Sequence, residues 1–401
     1  MRLKKKGRNY NNLVFFCLLV LVFCVGMTIL VKEKTPFSMV ESRELVGFEH
    51  FTLKGFVDGV FQDNFESAFS DQFWDSENIR MGYAQFTSHL PTFGLKENIC
   101  HNRYIELKSA EYKRGTFNCE DYLLYLPRPL TDEGKMVVDK NIEKYNHINK
   151  ITNAYYYFVD DASSFDFERN TRVNDYYSLL EDELKKEKGL DKLKFDSYEE
   201  YKNYFYKNDH HWDYRGSYQG FIDIAKLLGI KEVVSPVGEN TNHENFFGSY
   251  ARTTNNYDYP EEFVYYEFDI PEHKTYINGV EGKYNHYEEY RNHDYEYDEL
   301  MMYYTYAYVY GDDYAEVVFD FDQPEKKNLL IISNSYSNAV NELIAQYFDK
   351  TYVVDLRCFK ETAGKDFSIS DYLIEKDIDE TLIIMSPTFI TGEEPNRGLE
   401  S

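Results

Sequence analysis

The chemistry-bearing residues of this 401-residue chain converge on Asn208-Asp209-His210-His211-Trp212, followed by Asp213-Tyr214-Arg215-Gly216. The whole chain holds 10 His and 2 Trp, so two adjacent histidines flanked by an acid and a tryptophan are not a product of composition. The Asp209-x-His211 spacing lets a carboxylate sit beside the second-next imidazole and fix its tautomer, which is what a general base needs. The plain alternative is a pair of polar loop histidines capped by a packed indole. A base needs a nucleophile, and Ser335 is the candidate. It follows the apolar strand Asn328-Leu329-Leu330-Ile331-Ile332 and precedes a helix, so its hydroxyl is exposed on a strand-to-helix turn. Free N–H groups at such a helix start can bind a developing oxyanion. The logic is that of a nucleophile elbow without its flanking glycines. Ser333 and Ser337 compete for the role, and an N-capping serine is the plain reading of all three.

These residues need a scaffold. Asp213 reads as an N-cap, Tyr218, Phe221, Ala225 and Leu228 recur at helical spacing, and Gly229 fits a left-handed C-terminal cap. His211 is thereby placed on the loop just before a helix. Tyr155–Val159, Asn328–Ile332, Thr351–Asp355 and Leu382–Met385 read as near-continuous apolar strands. Helices carrying Ala339, Leu343, Ile344 and Phe348, and then Asp371 to Ile378, alternate with the last three. That order predicts an α/β fold, a parallel sheet covered by helices on both faces. Sites in such sheets lie at the carboxyl ends of the strands. Tyr304, Tyr306, Tyr308 and Tyr310 alternate as a further strand ending at Gly311. Phe246-Phe247-Gly248-Ser249-Tyr250 is an aromatic loop, and Phe65, Phe69 and Phe73 mark an amphipathic helix within residues 64–83.

Formal charge is −26, with 70 acidic against 44 basic residues. Five of the basic residues fall in positions 1–11, leaving −31 on the rest. A surface this acidic repels phosphate backbones and excludes nucleic acid as a partner. Leu13 to Val31 is an uncharged run of 19 residues, long enough to cross a bilayer as a helix. The basic flank keeps the N-terminus in the cytoplasm, and Lys32-Glu33-Lys34-Thr35-Pro36 offers no small-x-small cleavage site. The expected organisation is a cytoplasmic tail (1–11), a transmembrane signal anchor (12–31), an extracytoplasmic N-terminal region (32–120) and the α/β domain (121–401). Cys17 and Cys24 lie inside the apolar run, while Cys100 and Cys119 could close a disulfide loop or remain thiols.

The stretch Asn208–Trp212 with Gly216, taken with Leu329-Leu330-Ile331-Ile332-Ser333-Asn334-Ser335-Tyr336, resembles the DHHW family of bacterial surface proteins. That family is similar in turn to alginate O-acetyltransferase-type proteins of SGNH-hydrolase-like fold. The resemblance spans about residues 40 to 387, and Val354-Asp355-Leu356-Arg357 shares it. It implies a Ser-His-Asp triad in which Asp209 orients, His211 is the base and Ser335 the nucleophile. Related sequences usually place an acid immediately before that serine; here the residue is Asn334.

The expected function is a membrane-anchored extracytoplasmic serine esterase or O-acyltransferase working on a cell-surface polysaccharide. Tyr336, Gly311, Gly248, Trp212 and His210 are its substrate or oxyanion candidates. No cofactor and no metal is invoked, and the acyl donor would be delivered by a multi-span membrane O-acyltransferase. Two other classes use the same residues. One is a non-catalytic glycan-binding or scaffold member of the family. The other is a metal phosphoesterase, which would need further acidic clusters that the sequence does not supply at convincing spacing.

Overall fold

Alternate residues of two strands in the second half of the chain go to two different cores. Leu329, Ile331, Leu382 and Ile384 face one, and Leu330, Ile332, Ile383 and Met385 face the other. A strand apolar on both sides needs cover on both sides, and the fold of this computed structural model supplies it. The structure describes residues 12–21, 23–24, 26, 34–38, 43–48, 50–73, 75–89, 104–106, 116–119, 121–125, 127, 129–167, 170–184, 189–193, 195–241, 246–254, 256–257, 259–288 and 301–401. By its contacts the chain divides into two units, 1–90 and 91–401. Near the start of the larger unit Tyr122, Leu123 and Leu124 are buried, and Leu123 N–H donates to Lys207 O at 2.7 Å.

In the larger unit the sheet strands are β1 (Asn153–Val159), β2 (Leu190–Leu193), β3 (Lys274–Ile277), β4 (Val280–Glu281), β5 (Glu316–Asp320), β6 (Leu329–Ile332), β7 (Lys350–Val354) and β8 (Glu380–Met385). Their order in space is β4-β3-β5-β7-β6-β8-β1-β2. The stretch β7-β6-β8-β1-β2 is parallel, as its apolar strands predict. The sheet as a whole is mixed, because β5, β3 and β4 extend it in antiparallel fashion. β5 alternates buried and half-buried residues, the pattern of a strand covered more fully on one face. One core lies under α3 (Tyr214–Leu227) and α5 (Asn341–Ala345) and holds Trp212, Phe221, Tyr336 and Ile344. The other lies under α1 (Asp132–Ile151), α2 (Tyr176–Leu184), α6 (Leu356–Ala363) and α7 (Ile369–Glu375).

The tyrosine-rich stretch is α4 (Met301–Tyr310), not a strand. A residue type repeated every second position also recurs at i+4, so the same spacing satisfies a helix. Tyr306 and Tyr310 stand one turn apart, both buried, with ring centroids 5.0 Å apart. After Ser335 the predicted long helix is a short 3-10 turn, Ser335–Ser337, followed by α5.

In the N-terminal unit residues 12–21 are helical and Leu13, Phe15 and Phe16 are exposed. Among the described residues no helix is long and apolar enough to cross a membrane. The basic tail and residues 22, 25 and 27–31 of the apolar run lie outside them, as does Cys100 of the suggested disulfide. Two helices, Val60–Gln72 and Ser76–His89, replace the single helix expected there. Asp75, at φ 56°, breaks between them. Phe65 and Phe69 are exposed, while Asp71 and Gln72 are buried because they hydrogen-bond the backbone of Val46 and Thr35.

Candidate active site

The base loop is pinned at both ends. Phe205 and Trp212 form a β-bridge, Asp213 N–H donates to Tyr204 O (2.7 Å), and the Asp213 carboxylate caps α3 through the Arg215 and Gly216 amides at 2.8 and 2.9 Å. Trp212 is fully buried beneath this turn. It fits because α3 carries glycine where the indole lies: a Cβ on Gly220 would stand 2.5 Å from the ring. Upstream, Glu261 accepts the Lys207 and Asn208 amides at 2.8 and 3.2 Å. Burial, against those hydrogen bonds, pushes its carboxyl up to about 8. The Asn208 side chain spans to the next loop, donating to Phe246 O and Tyr259 O and accepting from Gly248 N–H. His211 is therefore held on a loop with little freedom to swing.

Within that frame the three residues form a continuous hydrogen-bond chain. Asp209 Oδ1 accepts from His211 Nδ1 at 2.7 Å and from the His211 amide at 2.9 Å; Oδ2 accepts the Ser249 amide at 2.9 Å. A carboxylate on Nδ1 keeps the proton there, so Nε2 is the acceptor, and Ser335 Oγ lies 2.8 Å from it. Ser333 donates to Ile384 O and Ser337 to Asn334 O, so both neighbouring hydroxyls are committed within the turn. Asn334 caps the turn by accepting the Tyr336 amide at 3.2 Å. Asp213 and Asp355 do the same for their helices, so the amide replaces an acid without loss of the cap.

Burial foremost, with the neighbouring His210 adding to it, pushes His211 down to about 4 even though Asp209 opposes the shift. The base is neutral at pH 7. Burial alone would raise Asp209, but the two histidines beside it and their hydrogen bonds hold it well below the usual carboxylate range. A carboxylate next to a neutral imidazole is the resting state of an acyl-transfer triad.

The remaining candidates take supporting places. Tyr336 is buried and its hydroxyl donates to His210 O at 2.6 Å, tying the nucleophile turn to the base loop. The Gly248 amide is spent on Asn208 and the Gly311 amide on Ala307 O, so neither faces an oxyanion. Gly248 matters for space instead: a Cβ there would stand 2.2 Å from Asp209 Cβ and Oδ2. Gly311, at φ 99°, closes α4 in the left-handed region. His210 is partly exposed, with Nδ1 2.5 Å from Ser249 Oγ and 3.2 Å from Asp209 Oδ1. Asp209, His210 and His211 are also a group whose ligand atoms fall within 4.8 Å of one another. A cation there would have to displace the hydrogen bonds just described.

Solved structures with a similar fold include a DHHW family protein from Eubacterium siraeum. The likeness has 18% identity over 74% of this chain and 97% of that one, with a TM-score of 0.52. PatB1 of Bacillus cereus is also similar, at 20% identity over 73% of this chain and 99% of PatB1, TM-score 0.51. A second PatB1 structure carrying a sulfonyl adduct gives 18% identity over 70% and 96%, TM-score 0.51. The chain shares the DHHW-protein fold. No protein-family profile matches it, nor does any curated protein sequence. Three supporting residues on this fold had no local signal in the sequence. Ser249 and Glu261 reach the base loop from 40 and 53 residues downstream, and Tyr306 lies flat on His211 with centroids 3.9 Å apart at 8°.

Proposed function

We propose that this protein is a serine acyl-transfer enzyme of the SGNH-hydrolase type, an extracytoplasmic esterase or O-acetyltransferase acting on a cell-surface polysaccharide. The reading rests on the unbroken chain from Asp209 through His211 to Ser335. Ser335 Oγ attacks the acyl carbonyl while His211 Nε2 takes its proton, and the resulting imidazolium is stabilised by Asp209. The amide of Ser335 opens the 3-10 turn and is the first backbone donor for the oxyanion. His211 then returns the proton to the leaving oxygen, giving an acyl-serine. A sugar hydroxyl, deprotonated by the same imidazole, accepts the acyl group; water in its place gives hydrolysis. The sulfonyl adduct of PatB1 supports the reading, because sulfonyl reagents esterify activated hydroxyls. The exposed apolar helix at residues 12–21 supports attachment to the membrane. A multi-span membrane acyltransferase would then be the source of the acyl group.

The test is hydrolysis of 4-nitrophenyl acetate by the purified protein, with mass spectrometry for an acetyl group on Ser335. Ser335→Ala and His211→Ala should each lower kcat by roughly 10⁴-fold or more, and the double variant by scarcely more than either alone. If both single variants keep the wild-type rate, the triad assignment is wrong.

A further inference from the structure

Beside the nucleophile turn lies a cavity of about 430 Å³. That volume is in the range of sites for small molecules. Two of its walls continue into the active site. On α4, Tyr306 stacks on His211, and Tyr310, one turn later, lines the cavity; four helical residues advance about 6 Å. In the turn after β6, Ser335 meets His211, and Asn338 lines the cavity. Residues three apart in a 3-10 turn eclipse one another, so Asn338 follows Ser335 on one side. Two lining residues, Tyr310 and Asn338, are therefore each about one turn along the chain from residues that meet at the Ser335–His211 pair.

The lining fits a sugar ring. Asn338 Nδ2 is fixed on Gly311 O at 2.7 Å, which leaves its amide oxygen to accept. The Tyr284 hydroxyl accepts from Asn341 Nδ2 at 3.0 Å and keeps its own proton to donate. The Glu342 carboxylate is oriented by His273 Nε2, 3.3 Å away, and by the Asn285 amide. Phe268 and Tyr310 add aromatic surface beside these polar groups. Acceptors and a donor next to ring faces match the hydroxyls and the apolar face of a pyranose. Charge narrows the class further. Of the four charged residues that line the cavity among the described residues, Glu267, Glu288 and Glu342 are acidic and Lys283 is basic, with His273 paired to Glu342, in a protein of net charge −26. An anionic ligand is repelled there.

We propose that this cavity is the acceptor subsite and takes a non-anionic pyranose, neutral or amino-substituted, of the glycan whose hydroxyl receives the acyl group from Ser335. The assignment rests on the acyl-transfer reading. The test uses the full-length protein in detergent and isothermal titration calorimetry with chitotetraose, cellotetraose, the fully de-N-acetylated chitosan tetramer and tetragalacturonate. At least one of the first three should bind, and tetragalacturonate should not. Phe268→Ala should weaken that binding about fivefold or more, since truncating a contact ring at a binding hot spot typically does so. It should raise KM for acyl transfer to the same sugar more than it lowers kcat. Glu288→Lys, at an exposed position, serves where Phe268→Ala does not fold; it should bring tetragalacturonate binding up and the chitosan tetramer down. The proposal is overturned if no non-anionic probe binds, if the uronate binds as tightly as the neutral sugars, or if neither variant changes binding. Failure of the acyl-transfer reading would look different: no ester hydrolysis by the wild type, with sugar binding that still depends on Phe268.

Discussion

The buried base gives a prediction with a definite sign and size. His211 is held near 4 in the folded protein against an ordinary value of 6.5. The unfolded chain takes up a proton at His211 as pH falls below 6.5, while the folded protein does so only near 4. Stability from this group is complete above 6.5, is lost progressively between 6.5 and 4, and falls no further below that. A displacement of this size corresponds to about 3 kcal/mol. Asp209, held low, contributes in a separate window, above its ordinary 3.8 and lost only below it. Asp161, raised to about 6 by burial, acts in the opposite sense, its stabilisation being lost as pH rises through 6. The measurement must therefore be a difference. Urea unfolding of wild type and His211→Gln, each from pH 4 to pH 8, should give a stability gap between the two that shifts by about 3 kcal/mol across the range, to the disadvantage of the wild type at low pH. The same displacement sets the acid limb of kcat/KM for 4-nitrophenyl acetate close to pH 4, not at the 6 to 7 of an exposed imidazole. A limb at 6.5 together with a flat stability difference would refute the burial argument and the neutral resting state drawn from it.

Two more predictions follow from the same structure. Gly248→Ala pushes a methyl group into Asp209, and a displacement of about 1 Å at a catalytic group costs roughly 10²-fold; kcat should drop on that scale with an unchanged circular dichroism spectrum, and a wild-type rate would show that Asp209 needs no such fit. Protease added to intact protoplasts should digest the 91–401 unit, and protection until the membrane is lysed would remove the extracytoplasmic assignment.

The parallel strands and the pairing of Asp209 with His211 were legible because each is written locally. Leu329, Leu330, Ile331 and Ile332 alternate between two cores with no polar residue among them, and Asp209 and His211 are two residues apart. Asp213 and α3 were readable for the same reason, since a cap and a helical repeat are both short-range. The tyrosine stretch failed because its period of two is ambiguous, and burial of Tyr306 against His211 decides for a helix only once the rest of the fold is present. The antiparallel extension by β5 and β3 was invisible, as strand direction depends on connections tens of residues long. Gly248 was noticed for the wrong property: its amide is engaged, and what counts is the missing side chain next to Asp209, a contact made across 39 residues.

Asp209 and His211 come from one loop, while Ser335 lies 124 residues further along, at the end of a strand flanked on both sides by parallel neighbours. Parallel pairing needs its crossovers closed before any of those neighbours is in place. The base loop can form early, yet it has nothing to activate until β6 is seated between β7 and β8. On the proposed acyl-transfer reading Ser335 is inert in a partly folded chain, and ester turnover requires β6 seated between β7 and β8. On that reading, activity of the protein reports that the parallel part of the sheet is assembled.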